Sequence, residues 1–397
     1  MLPARQTGYE EKHHDHRPAG ASDRGRCRFD TDLMPSSMTM QHIAGAWLVW
    51  ALLSGTAQAQ ESLPAYKPER EVNGVIRNFG FGLGGVLQQW EDGFHKLQPG
   101  VGFDDRLPTS DAAIPALVTG VSDLGPDGGE ATLTENLSFF EVYGYMPTAI
   151  TVASGAYDVE GKSNGPVIFV ARDNPIKSLT MQQLDGIFGA ERTAGLRGFQ
   201  WSPEEGRGAQ GDIRTWGQLG LGGEWADKPI QTYGHGPSGT ARFFQWKVLH
   251  NGDKWNENYR EYVETGSKQI ADEDKARQSL GAQHMLREEL ASNPYGIAWS
   301  VMPQAKGIAG LRVVPIAPRP GAPAVMPGKA SFEDRSYPLV RSIYIFLNRK
   351  PGTPLDPKLR EFLRYVLSRD GQDIVRRNGS YLPLPPDLAR EEARKLD

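Results

Sequence analysis

Cysteine is nearly missing: Cys27 is the one thiol in 397 residues. That excludes a disulfide framework and any cysteine-rich metal site. An excess of basic charge is missing too. Lys and Arg number 44 against 48 Asp and Glu, a net charge of −4. A nucleic-acid binder that works by neutralising phosphates is therefore excluded, and no run of alternating basic and aromatic residues suggests one. No H-E-x-x-H motif occurs. Beyond residue 59 the histidines are His95, His235, His250 and His284, too dispersed for a metal site or triad. No metal, cofactor or catalytic residue is expected.

A long hydrophobic run is lacking as well. The apolar stretch Ile43–Leu53 is too short for a bilayer, which needs roughly 20 apolar residues. Small residues follow it, ending in Ala57-Gln58-Ala59. This is the pattern of a secretory signal cut after Ala59. An uncleaved anchor is the alternative. Residues 1–59 are thus read as an N-terminal extension and signal peptide. His13, His14 and His16 fall on it and are not read as a site. Export leaves a chain without Cys27 or any other thiol, suited to a Gram-negative periplasm.

Apolar residues make up 39% of the chain, enough for a core. Val75-Ile76 marks a short strand. Val86, Leu87, Trp90, Phe94 and Leu97 recur at helical spacing, and Pro99-Gly100 ends that helix. Val101–Arg106 reads as a second strand, and Ser110-Asp111 caps a second helix. Strand, helix, strand, helix predicts parallel pairing and an α/β fold. Pro166–Ala171 is a continuous apolar run typical of a buried parallel strand. Residues 190–212, rich in Gly and charge, read as a surface excursion. Residues 268–291 read as mostly helical. Strands are expected over Ile230–Tyr233, Gly296–Ser300, Leu311–Ile316 and Ile343–Leu347.

Three helix starts carry small or hydroxyl residues in the first turn: 80–85, Ser110 and 238–240. The N-terminal amides and dipole of a helix favour an anion, and hydroxyls add donors. Each is also an ordinary cap; only the three together suggest an oxyanion cleft. Gly161-Lys162-Ser163 imitates the end of a P-loop, but Ala156 stands where the spacing needs Gly. Gly236-Pro-Ser238-Gly-Thr240 is not a nucleophile elbow, since its fifth position is Thr. His235 lies three residues before Ser238, which leaves a Ser238-dependent hydrolase open.

Four stretches and one loop carry a resemblance. They are Trp90 to Gly100; Ser110 through Leu117 to Gly125; Tyr143 to Ala149 with Asp173 to Thr180; Tyr337-Pro-Leu-Val-Arg341 with 351–384; and the Ser238-Gly239-Thr240 loop. In these, from about Gly74 to Pro385, the chain resembles the phosphate-type substrate-binding proteins of bacterial ABC transporters, of the type II periplasmic-binding-protein superfamily. The resemblance implies a two-lobed α/β fold, each lobe a mixed sheet flanked by helices, joined by a two-strand hinge. Lobe 1 would comprise 60–165 and 340–397, and lobe 2 166–339. It implies a periplasmic monomer that captures phosphate or a related oxyanion and passes it to a permease.

The residues that match the family's anion loops are Gly80, Phe81, Gly82 and Leu83, then Ser110, then Ser238, Gly239 and Thr240. Asp127 is the candidate proton acceptor and Arg242 the candidate counter-charge. The chain departs from the pattern at three places. The first loop has no hydroxyl and offers only backbone amides. Gly128-Gly129 stands where the family has Ser-Arg. Gly234-His235 stands where an Arg precedes the Ser-Gly-Thr loop. Another anion, or a signalling or structural protein that binds none, remains open on those grounds.

Overall fold

The computed structural model describes residues 62–197, 200–262 and 281–397. The export signal and most of the helix expected over 268–291 lie outside the described residues; of that helix, 281–290 is helical.

Two five-stranded mixed sheets organise the chain. The first uses β1 (Gly74–Phe79), β2 (Val101–Arg106), β3 (Leu124–Asp127), β4 (Thr148–Ser154) and a late strand, β10 (Ser342–Leu347), in the order β2-β1-β3-β10-β4. β1 runs parallel to β2 and β3, whereas β10 lies antiparallel between β3 and β4. The second uses β5 (Val167–Ala171), β6 (Gln231–His235), β7 (Arg260–Tyr262), β8 (Gly296–Ser300) and β9 (Leu311–Val313), in the order β7-β6-β8-β5-β9. Parallel pairs need crossover helices, which cover the faces and bury the strands on both sides. β5 and β8 are buried at every residue, but β5, expected as a parallel strand, runs antiparallel to both its neighbours, β8 and β9.

The first sheet packs against α1 (Val86–His95) and three C-terminal helices, α6 (Pro357–Leu367), α7 (Arg369–Asn378) and α8 (Pro386–Arg394). Trp90 is fully buried there, and its indole Nε1 donates to Gly371 O at 2.9 Å. α2 (Ala113–Val118) and α3 (Leu133–Tyr143) bury Ile114, Leu117 and Phe139 with Phe346. The second core gathers Ile168, Val170, Tyr233, Phe244 and Trp299, with Phe244 stacked on Trp299 at 4.8 Å. It includes α4 (Met181–Phe188) and α5 (Gly239–Val248). Val86, Leu87, Trp90 and Phe94 of the expected first helix are buried, while Leu97, past its end, is half exposed.

The stretch 190–212 is more than a surface excursion. Arg192 is buried and pairs with Asp185 at 2.6 Å, while Arg207 reaches the same carboxylate at 3.2 Å. Most of the stretch is exposed or half-buried, as with Arg197 and Glu204, so a surface segment is anchored by an internal ion network.

The chain leaves the first sheet after β4 and returns to it at β10. The two crossings are stitched together: Gly155 N–H donates to Arg341 O at 2.9 Å, and Ser342 faces Ser154 in the ladder.

Candidate functional site

A cleft of about 800 Å³ opens where both sheets end. Ligands of open α/β sheets sit at the carboxyl ends of strands, where loops and helix starts converge. Asp127 closes β3 on one side, and Ser238 caps α5, just past β6, on the other. Phe81, Ser110, Asp127, Ser238, Gly239, Thr240 and Arg242 all line this space.

Asp127 is buried. Its Oδ1 accepts the Gly129 N–H at 2.9 Å, and Ser110 Oγ accepts the Gly128 N–H at 3.0 Å. Burial pushes its carboxyl up to about 7, against the downward pull of the Ser110 hydroxyl and the Gly129 amide. Opposite, Ser238 Oγ accepts the Ala241 N–H at 3.1 Å. The N-terminal end of α5 therefore opens on the cleft with its positive dipole end.

Gly80, Gly82 and Leu83 are not brought to the cleft wall. Leu83 is fully buried in the first core. Gly80 N–H donates to Arg106 O at 3.0 Å and Phe81 N–H to Pro126 O at 2.8 Å. The backbone donors expected to face an anion at 80 and 81 are thus taken by the fold, and only the Phe81 ring reaches the cleft. Arg242 also differs from its expected role. It is half exposed and pairs with Asp111 across the cleft mouth at 3.4 Å. His235 is buried, with Nε2 2.8 Å from Ser300 Oγ.

Six charged residues line the cleft that the sequence did not mark as site residues: Asp111, Glu130, Glu135, Glu160, Lys162 and Arg341. Arg341 retains 7% of its side-chain surface, and its Nη2 lies 3.9 Å from Glu130 Oε2. Burial pushes the Glu130 carboxyl above its ordinary value, with Arg341 opposing. Lys162 belongs to the Gly-Lys-Ser triplet set aside as a P-loop decoy; it forms part of the wall between β4 and β5. Among the described residues no group of three His, Cys, Asp or Glu is arranged to hold a metal.

A family model described as a PBP superfamily domain matches residues 82–370. The chain belongs to the PBP superfamily. Within that superfamily it is 33% identical over 345 residues to the phosphate-binding protein PstS of Pseudomonas aeruginosa, covering 86% of this chain and 93% of that protein. Among solved structures, PstS from Borrelia burgdorferi aligns with a TM-score of 0.49 at 15% identity, over 78% of this chain and 98% of that one. An ABC-type phosphate transport receptor from Vibrio cholerae aligns with a TM-score of 0.45 at 15% identity, over 78% and 99%. The two mixed sheets with their flanking helices make the fold α/β, as the resemblance implied.

Proposed function

We propose that this protein is an extracytoplasmic receptor that captures phosphate in the cleft and presents it to an ABC permease, without catalysing a reaction. The lobes would be 60–165 with 340–397, and 166–339. The observation that carries the reading is the meeting of two walls: Asp127 with Ser110 on one, the Ser238-Gly239-Thr240 start of α5 on the other. A helix N-terminus and hydroxyls suit oxyanion oxygens, and a carboxylate suits an oxyanion that still carries a proton. The relationship to PstS supports the same ligand. Among the described residues no helix is long and apolar enough to cross a membrane.

Isothermal titration calorimetry with phosphate, arsenate, sulfate and molybdate tests the reading. One-site saturable binding of phosphate is expected. A folded protein that binds none of the four overturns the receptor reading, and tighter binding of sulfate overturns phosphate as the ligand.

A further inference from the structure

A buried oxyanion needs a cation, or a full set of neutral donors, to offset lost hydration. The loop before α5 does not supply one. A side chain at Gly234 would collide with Trp299 Nε1 and Tyr259 Oη. Both groups belong to the second core, and Tyr259 Oη donates to His235 O at 2.8 Å. Arg242 is turned to Asp111 at the solvent edge. Arg341 remains, deep in the cleft and fixed by its backbone. Its carbonyl accepts the Gly155 N–H at 2.9 Å and Arg335 Nη1 at 3.2 Å.

The surroundings of the guanidinium are built for a guest. A Cβ at Gly129 would collide with Arg341 Nη2, and one at Gly239 would lie 3.7 Å from it. Two glycines thus clear the space in which this side chain meets the start of α5. A cation beside the positive end of a helix is a mismatch unless an anion sits between them. The one carboxylate at hand holds it loosely, since 3.9 Å exceeds hydrogen-bond range. Arg341 Nε and Glu130 Oε1 are both buried without a hydrogen-bond partner. Buried unpaired polar groups are costly and rare, and here two stand at one cleft.

We propose that Arg341 is the cation that holds the bound oxyanion, and that Glu130 is its resident counter-ion in the empty cleft, relieved of it when the anion arrives. This deepens the receptor reading and rests on it. The groups that face Glu130 are Arg341, Lys247 on α5, Arg335, Tyr344 on β10 and Asp127 on β3. Once the anion neutralises Arg341, the Glu130 carboxylate faces a new negative charge in a buried place. It takes a proton from solvent onto a carboxyl oxygen. Anion binding is therefore coupled to proton uptake at Glu130, and the affinity falls as pH rises.

Calorimetry with inorganic phosphate near neutral pH, in two buffers of different ionisation enthalpy, reads affinity and proton count together. Arg341→Met is expected to weaken binding by about 30-fold or more, as removal of one partner from a buried charge contact does, with Arg341→Lys intermediate. Glu130→Gln is expected to bind more tightly and to take up fewer protons than the wild type. Asp127→Asn, the control for the other titrating acid, is expected to retain the uptake that Glu130→Gln loses. Thermal melts establish that each variant folds; if Arg341→Met does not, Glu130→Gln decides. Unchanged affinity in folded Arg341→Met, or unchanged affinity and proton count in Glu130→Gln, overturns the inference while leaving the receptor reading intact. Absence of any anion binding by the wild type overturns that reading, and this inference with it.

Discussion

Glu91 shows what burial does to a single carboxyl. It sits on α1 under the first sheet, and Asn78 Nδ2 donates to its Oε1 at 2.8 Å. Burial, then the nearby Asp105 charge, pushes it from 4.5 up to about 9. The folded protein holds a proton that the unfolded chain releases above pH 4.5. Stability from this group is therefore greatest below the unfolded value and declines as pH rises toward 9, by at most about 1.4 kcal/mol per unit. Glu91→Gln keeps the acceptor for Asn78 and removes the titration. Urea unfolding midpoints measured from pH 5 to 9 are expected to slope less in the variant; parallel slopes would show that Glu91 ionises freely. Charge of this kind was invisible in the sequence, where Glu91 follows Trp90 as an ordinary polar neighbour. Asn78 lies 13 residues away and Asp105 is on another strand, so only tertiary structure brings the three together. Arg341 was hidden in the same way. It stood inside a recognisable stretch, but its meeting with Gly129 and Gly239 depends on the strand return.

α5 was the most legible element. Ser238 followed by Gly239-Thr240 and an apolar-periodic run is a helix start written in local chemistry, and the structure places the cap there. Ser238→Ala is expected to cost about 1 kcal/mol of stability through the lost cap, and to weaken phosphate binding beyond that. A chemical melt alongside calorimetry separates the two effects. If stability falls while affinity holds, Ser238 is a cap and nothing more. The first loop was less legible. Gly80 to Leu83 looked like an anion cradle because Gly-rich turns permit close approach. Its amides at 80 and 81 pair instead with Arg106 O and Pro126 O, contacts set by β2 and β3 that no local pattern announces. Charge-rich 190–212 was legible as a surface segment but not as one anchored by the internal pair of Arg192 and Asp185.

Parallel pairing of β1 with β2 was legible in the strand-helix alternation, whereas the antiparallel members of each sheet and the return of the last segment to the first were legible only through family resemblance. Periodicity identifies strands but not their neighbours. One ion pair, Asp111 with Arg242, spans the cleft mouth from one wall to the other. Both partners are exposed, so it contributes little to stability, yet it ties the two walls. Asp111→Asn is expected to leave the melting temperature within a degree or two and to raise the radius of gyration of the unliganded protein, read by small-angle scattering at low salt. An identical scattering curve for wild type and variant would show that this pair does not restrain the walls.

The order β2-β1-β3-β10-β4 also has a consequence in time. Every strand of the second sheet lies within residues 167–313, a continuous stretch. The first sheet has its gap between β3 and β4 filled only by Ser342–Leu347, and its core is closed by helices that end at Arg394. A chain emerging N-terminus first can therefore finish its middle before its beginning. Trp90 must wait, apolar and uncovered, for Gly371, 281 residues later, and Ile150 for Ile345 on β10, and long-range closure of this kind is slow and exposed to aggregation. Pulse-labelled hydrogen exchange during refolding should protect β5, β6 and β8 before β1 and β3. The early half of this protein is the half that most needs guarding until its last residues arrive.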